Sequence, residues 1–213
     1  MTPKQNAWRL QADSVIRQME RRHFHACYCS TKEEAFKKAL SIIEKGSVVA
    51  SGGSETLKEI GLLDYIKSHP EDYTYLDRSK AGSEEEKRKI HAKTILSDYF
   101  LMSTNAFTAD GQLVNIDGNG NRVGALCFGP KHVIIITGMN KLVPTVEDAY
   151  KRIRQGACPP NCLRLNLETP CAKTGFCGEC LSGSSICASF VTTRMSRNPD
   201  RIHVILVGET LGY

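Results

Sequence analysis

Short apolar runs alternate with stretches of helical periodicity along most of this chain. The apolar runs cover residues 48–50, 73–76, 99–102, 133–137 and 202–207. Helices are predicted between them, and two of these helices begin at capping signals, Thr31 with Glu34 and Ser83 with Glu86. Because such strands pair in parallel and are covered on both faces, the sequence predicts an α/β fold with a mainly parallel sheet flanked by helices.

One part of the chain departs from this alternation. Asp110-Gly and Asp117-Gly are turn signals on either side of a predicted strand, residues 112–116. A β-hairpin is therefore expected to be inserted in the sheet. A length of 213 residues suits one α/β domain, so residues 1–213 are expected to form a single domain.

Charge and hydropathy exclude several classes of protein. The formal charge is +5, but basic and acidic residues are mixed along the chain. Because the sequence has no basic stripe with interleaved aromatic residues, no nucleic-acid partner is predicted. The longest aliphatic run, residues 133–136, is too short to cross a bilayer. The first 22 residues lack the apolar core of a secretory signal, so a cytoplasmic protein is expected.

Nine cysteines are the anomaly of the composition, and six of them lie between Cys158 and Cys187. An odd number in a chain without an export signal argues against a disulfide framework, because the cytosol keeps thiols reduced. The surrounding segment, residues 157–187, is rich in Pro, Gly, Ser and Thr and has no periodicity. It is predicted to be a cysteine-rich loop that a metal organises.

The spacing of these cysteines narrows the choice of metal. Four thiolates can hold an iron–sulfur cluster or a tetrahedral zinc ion. Only one Cys-x2-Cys pair is present, whereas common zinc ribbons use two, so an iron–sulfur cluster is favoured and zinc is the alternative. Unligated cysteines in a loop are the third interpretation. The cysteines and their order are Cys158-x3-Cys162-x8-Cys171-x5-Cys177-x2-Cys180-x6-Cys187.

A glycine-rich turn between a predicted strand and helix is a candidate anion site. Glycines let the backbone approach a ligand closely, and free amides at the start of a helix attract anions. The alternative is an ordinary turn in which Ser54 caps the helix. Neither a dinucleotide fingerprint nor a P-loop lysine is present. The candidate ligand residues are Ser51, Gly52, Gly53, Ser54, Glu55 and Thr56.

Further polar residues are candidates for the same site. Arg122 can hold a carboxylate through two parallel hydrogen bonds, and Lys141, after the strand at 133–137, adds a second cation. Asn105, Asp117 and Asn121 lie nearby in sequence, but Asn and Asp are also common in turns, where they bond to their own backbone. Because no nucleophile–base pair is identified, the sequence assigns no reaction.

Several motifs resemble one known family in their residues and order. They are residues 103–123, STNAFTADGQLVNIDGNGNRV; Phe128-Gly-Pro; Gly138-Met-Asn-Lys; Arg152-Ile-Arg; and residues 171–187, CAKTGFCGECLSGSSIC. Together with the turn at Ser51 they resemble the lactate-utilisation (LUD) domain family, and the last motif resembles that of a cysteine-containing subgroup. The likeness covers nearly the whole chain.

The resemblance implies a fold similar to the ribose-phosphate isomerase, glucosamine-phosphate deaminase and CoA-transferase group. Better-studied members of the family belong to a multi-protein system that oxidises L-lactate to pyruvate with iron–sulfur proteins. The metal ligands that it implies are Cys171, Cys177, Cys180 and Cys187, with Cys158 and Cys162 in reserve.

The expected function is a component of lactate or organic-acid utilisation. It would bind a small carboxylate or phosphate, carry an iron–sulfur centre, of the 4Fe–4S type, for redox chemistry or assembly, and act with other iron–sulfur subunits. Two alternatives stay open. One is a sugar-phosphate or acyl-CoA enzyme by analogy of fold, and the other is a zinc-stabilised, non-catalytic assembly subunit.

Overall fold

The computed structural model describes residues 2–213, and within them the chain forms two sheets with helices around them. In chain order the strands are β1 (His25–Cys29), β2 (Ser47–Ser51), β3 (Tyr73–Tyr75), β4 (Tyr99–Met102), β5 (Ala106–Thr108), β6 (Leu113–Asp117), β7 (His132–Gly138), β8 (Leu142–Val143), β9 (Ser189–Thr193) and β10 (Ile202–Val207).

The helices include the two that were predicted from capping signals, since the Thr31 and Ser83 hydroxyls accept from the N–H groups of Glu34 and Glu86. Among residues 2–213, none of the helices combines the length and the apolar character that a membrane span requires. The helices are α1 (Pro3–Arg21), α2 (Lys32–Leu40), α3 (Glu55–Ile60), α4 (Leu62–Ser68), α5 (Glu84–Ile95), α6 (Asn121–Cys127), α7 (Val146–Arg152), α8 (Cys158–Arg164) and α9 (Pro170–Thr174).

The larger sheet has six strands in the order β1-β10-β7-β4-β2-β3, and every neighbouring pair is parallel. Alternate side chains of β7 enter two separate cores, with Val133 in one and Ile134 in the other. Helices α1 and α6 cover the first face, and α2, α3 and α4 cover the second. The prediction of a mainly parallel sheet with helices on both faces is confirmed.

The predicted hairpin is also present, but it is part of a second sheet. Strands β5 and β6 pair in antiparallel fashion, and β8 and β9 extend them to the order β8-β5-β6-β9. Helix α7 packs on this sheet through Ala149, which contacts the same small core as Val114. The sequence predicted neither β8 nor β9, which are short and only partly buried.

The cysteine-rich segment is not the structureless loop that its composition suggested. A π-helical turn (Ile153–Ala157) joins α7 directly to α8, so one helical stretch enters the segment, and α9 follows. Pro159 lies in the first turn of α8, where a missing N–H costs nothing. Cys158 and Cys162, four residues apart on that helix, are both buried and give it an apolar face.

Candidate functional site

Strands β2, β4 and β7 end at the same edge of the parallel sheet, and a polar pocket of about 90 Å³ lies there. The turn after β2, the residues after β4 and the short 3-10 turn Met139–Lys141 after β7 all contribute to it. Ligands commonly bind at this edge of an open α/β sheet. The predicted site residues that line the pocket are Gly53, Ser54, Glu55, Thr56, Asn105, Arg122 and Lys141.

Lys141 is the most unusual residue of this pocket, because its side chain is only 3% exposed. Its Nζ donates to Thr56 Oγ1 at 3.1 Å and to Ser103 Oγ at 3.2 Å. Among residues 2–213 its hydrogen bonds go to hydroxyl groups and none to a carboxylate. Burial, together with the positive charges of Arg152 and Arg122, lowers the pKa of Lys141 to about 7.

Arg122 lies beside Lys141, but the N–H groups of Arg122 already donate to other groups of the protein. A guanidinium has five N–H donors. They face Asp117 Oδ2 at 3.3 Å, Ser103 O at 3.2 Å, Asn115 Oδ1 at 2.6 Å, Asn105 Oδ1 at 2.9 Å and Ile116 O at 2.9 Å. Arg122 therefore joins the second sheet to the pocket wall and supplies positive charge, while a ligand must find its direct donors elsewhere.

Asn105 and Asp117 support this arrangement. The Asn105 side chain also accepts from the Ile116 N–H at 3.0 Å, and the Asn105 backbone carbonyl accepts from Arg152 at 2.7 Å. Asp117 accepts from the N–H groups of Asn119 and Gly120 in a turn, at 3.2 and 2.9 Å. The Asn105 and Asp117 side chains therefore accept hydrogen bonds both from backbone N–H groups and from Arg122.

The remaining predicted ligand residues lie beside the pocket. Ser51 and Asn121 line a neighbouring cavity, and the Ser51 hydroxyl is hydrogen-bonded to that of Tyr75 at 2.6 Å. Gly52 packs on the stem of Arg122, because a Cβ there would lie 3.0 Å from Arg122 Cδ. The turn therefore contributes to the pocket from Gly53 onward.

Sequence reasoning missed Ser103, Asn161 and Arg164 as pocket residues. Ser103 directly follows the apolar strand β4, so the rule that strand ends meet at one edge could have found it. Asn161 and Arg164 lie on α8, and Arg164 Nε is 3.4 Å from Glu55 Oε1 across the pocket. No local pattern marks residues that reach a site from another part of the chain.

A second cavity, of about 220 Å³, brings the cysteines of the C-terminal segment together. In residues 2–213 none of the nine cysteines forms a disulfide. Three that line the cavity are buried and three are partly exposed, and Cys187 Sγ lies 3.5 Å from Cys158 Sγ. The six cysteines that line it are Cys158, Cys162, Cys171, Cys177, Cys180 and Cys187.

The electrostatics of this cavity favour a thiolate at Cys187. The contact between the Cys187 and Cys158 sulfurs, together with the Ser185 side chain and the charge of Arg154, lowers the pKa of Cys187 to about 7. The same contact with Cys187, and then burial, raises the pKa of Cys158. Arg154 also pairs with Glu179 at 2.6 Å, so a cation lies at the cavity.

The donor chemistry of the cavity fits a soft metal centre, since thiolates are the preferred ligands of iron–sulfur clusters and of structural zinc. In the part of the chain described, however, no three His, Cys, Asp or Glu side chains already surround a point at which a metal ion would lie. Metal binding therefore requires the cysteine side chains of the cavity to rearrange.

The two cavities share a wall. Cys158 and Cys162 on α8 line the cysteine cavity, and Ala157, Asn161 and Arg164 line the polar pocket. One short helix thus presents one side to each site.

Comparisons with known proteins bear on this architecture. A model of the LUD domain matches residues 12–207, which is nearly the whole chain. No curated protein matches the chain. A crystal structure of a DUF162 family protein from Deinococcus radiodurans is 14% identical with a TM-score of 0.51, and the match covers 95% of this chain and 98% of that one. That level of identity shows a shared fold.

Two more distant structures are also similar in part. Ribose 5-phosphate isomerase from Plasmodium falciparum is 15% identical over 53% of this chain and 52% of that one, with a TM-score of 0.34. The delta subunit of eIF2B from Chaetomium thermophilum is 13% identical over 67% of this chain and 54% of that one, with a TM-score of 0.36. These two scores are too low to support a conclusion.

Proposed function

Because the chain belongs to the LUD domain family, we propose that it is a component of lactate or organic-acid utilisation that binds a small anion and carries an iron–sulfur centre. Membership of the family implies the role in lactate utilisation. The anion site and the iron–sulfur centre are supported by one observation. Six cysteines line one cavity, and α8 separates that cavity from a cationic pocket.

The anion site is the pocket around Lys141. A buried ammonium without a carboxylate partner is costly, and a bound carboxylate or phosphate supplies the missing negative charge. Arg122 and Arg152 add positive potential at Lys141. Both guanidinium groups already donate hydrogen bonds within the protein. The hydroxyl group of Thr56, beside Lys141, and the turn from Gly53 onward provide further hydrogen-bonding groups.

The iron–sulfur centre belongs in the cysteine cavity. Cys171, Cys177, Cys180 and Cys187 are the proposed ligands, and the buried Cys158 and Cys162 are close enough to replace one of them. Such a cluster supplies one-electron transfer when it is bound. Arg154 balances part of the negative charge that four thiolates would bring. Other iron–sulfur subunits of a lactate-oxidising system are the proposed partners.

Cysteine variants purified without oxygen test this proposal. The double variant Cys171→Ser with Cys180→Ser should lose the brown colour and visible absorbance expected of the natural chain, because two ligands are gone. Cys127→Ser is the matched control, since Cys127 is exposed and lies outside the cavity. Equal absorbance in all three proteins, or none in any, contradicts the proposal.

A further inference from the structure

The hydrogen bonds of Lys141 suit an uncharged amine better than an ammonium ion. An uncharged amine has two N–H groups and one lone pair, and Nζ has two acceptors, Thr56 Oγ1 and Ser103 Oγ. If both N–H groups bond to these hydroxyls, the lone pair is left without a partner. An amine with a free lone pair, fixed in a polar pocket, is a nucleophile rather than only a cation.

We propose that the pocket takes a small 2-oxo acid and that Lys141 forms an imine with its carbonyl carbon. This inference rests on the proposed anion site and names the chemical class of its ligand. An amine nucleophile requires an electrophilic carbonyl group, and the surrounding arginines require a negative charge close to it. A 2-oxo acid carries both groups on adjacent carbons, so both can lie close to Lys141 in the pocket.

The protonation state of Lys141 agrees with this geometry. Because burial and the two arginines lower its pKa to about 7, a large share of Lys141 is uncharged near neutral pH. The groups that act on Nζ are Arg122 from α6, Arg152 from α7 and Glu59 from α3. An exposed lysine at the same pH is almost entirely protonated and reacts slowly.

Gly212 packs closely against the two polar groups of the proposed reaction. A Cβ at Gly212 would lie 2.7 Å from Thr56 Oγ1 and 3.3 Å from Lys141 Nζ, so a side chain there would crowd both groups. Thr56 accepts from Lys141, and among residues 2–213 no protein group accepts its own proton. Its hydroxyl can therefore donate to the carboxylate of the ligand.

The proposed step balances without an oxidant or a reductant. The Nζ lone pair forms a bond to the carbonyl carbon, Nζ gives up its two protons to the carbonyl oxygen, and the carbon–oxygen bond breaks as that oxygen leaves as water. The product is a C=N bond between Lys141 and the former 2-oxo acid. No electrons are transferred to or from the protein, and water reverses the reaction.

Reductive trapping tests the inference on the full chain. The protein is incubated with pyruvate and sodium cyanoborohydride, and the modified lysines are located by peptide mass spectrometry. The reduced adduct is expected at Lys141 at least about tenfold faster than at exposed lysines such as Lys151, because more of its amine is uncharged. L-Lactate, which has no carbonyl group at that carbon, should compete and slow the reaction.

Lys141→Arg should lose the rapid adduct, and Lys151→Arg is the matched control that should keep it. A stable complex with pyruvate in calorimetry, but no preferred adduct at Lys141 in the natural chain, overturns the imine and leaves the anion site standing. If pyruvate, L-lactate and inorganic phosphate all fail to bind, both the imine and the anion site are wrong.

Discussion

Lys141 determines the chemistry of the polar pocket, and its burial has a cost that can be measured. The folded state lowers its pKa to about 7, whereas an unfolded chain restores the ordinary value of about 10.4. Between these two values the unfolded state binds more protons, so the stability of the natural chain should rise with pH across that window. Below pH 7 both states are protonated, and the full cost of the buried charge is present.

Lys141→Met should therefore stabilise the fold at pH 6, by on the order of 5 kcal/mol, and the gain should shrink as pH rises toward 10. Chemical denaturation of both proteins at pH 6 and pH 9 measures this difference. Lys151→Met is the control, because Lys151 is exposed and should show neither effect. A Met variant that is less stable than the natural chain at pH 6 contradicts the account of Lys141.

Helix α8 (Cys158–Arg164) is the element that connects the two sites. A small anion held beside Asn161 and Arg164 should restrict the opening of α8, which is needed before a reagent reaches the buried thiols on its other side. In the metal-free protein, saturating phosphate should slow the alkylation of Cys158 and Cys162 by about fivefold or more.

The exposed Cys127 serves as an internal control in the same digest and should react at an unchanged rate. If calorimetry shows that phosphate is bound but neither Cys158 nor Cys162 reacts more slowly, α8 does not couple the two sites. If phosphate also changes the affinity of the cysteine cavity for its metal centre, that centre must change the affinity for phosphate by the same factor, because coupling between two binding events is reciprocal.

Some helices and strands could be predicted from the sequence, and others could not. The parallel strands and the capped helices were predictable, because apolar runs and Ser or Thr caps act locally. Helix α8 was missed because two prolines in its first turn suggest a loop, and its apolar face consists of cysteines. Helix α6 was hidden in a run of Gly and Asn that is typical of turns.

The candidate site was predictable to a similar extent. Gly53 to Thr56 and Lys141 follow apolar strands, and strand ends meet at one edge of a parallel sheet. Arg122 donates to acceptors on β6 and just after β4, and no local sequence pattern reveals these partners. For the same reason, the sequence did not indicate that Arg164 reaches Glu55.

The whole molecule places two sites of different chemistry on either side of one helix. The parallel sheet supplies the pocket at its carboxyl edge, and the second sheet anchors Arg122. The cysteine cavity adjoins the same region, and Cys187 contacts the small core of the second sheet. This arrangement suits a protein in which a bound organic acid and an electron carrier influence each other.

Six cysteines line one cavity, and four of them are proposed to hold an iron–sulfur centre. Iron and acid-labile sulfide, measured per chain on protein expressed with an iron supply and purified without oxygen, show whether this cluster is present. We expect equal amounts of the two, about four of each per chain for a 4Fe–4S cluster. A colourless protein with about one zinc per chain and no sulfide would contradict the claim and favour a zinc-stabilised assembly subunit.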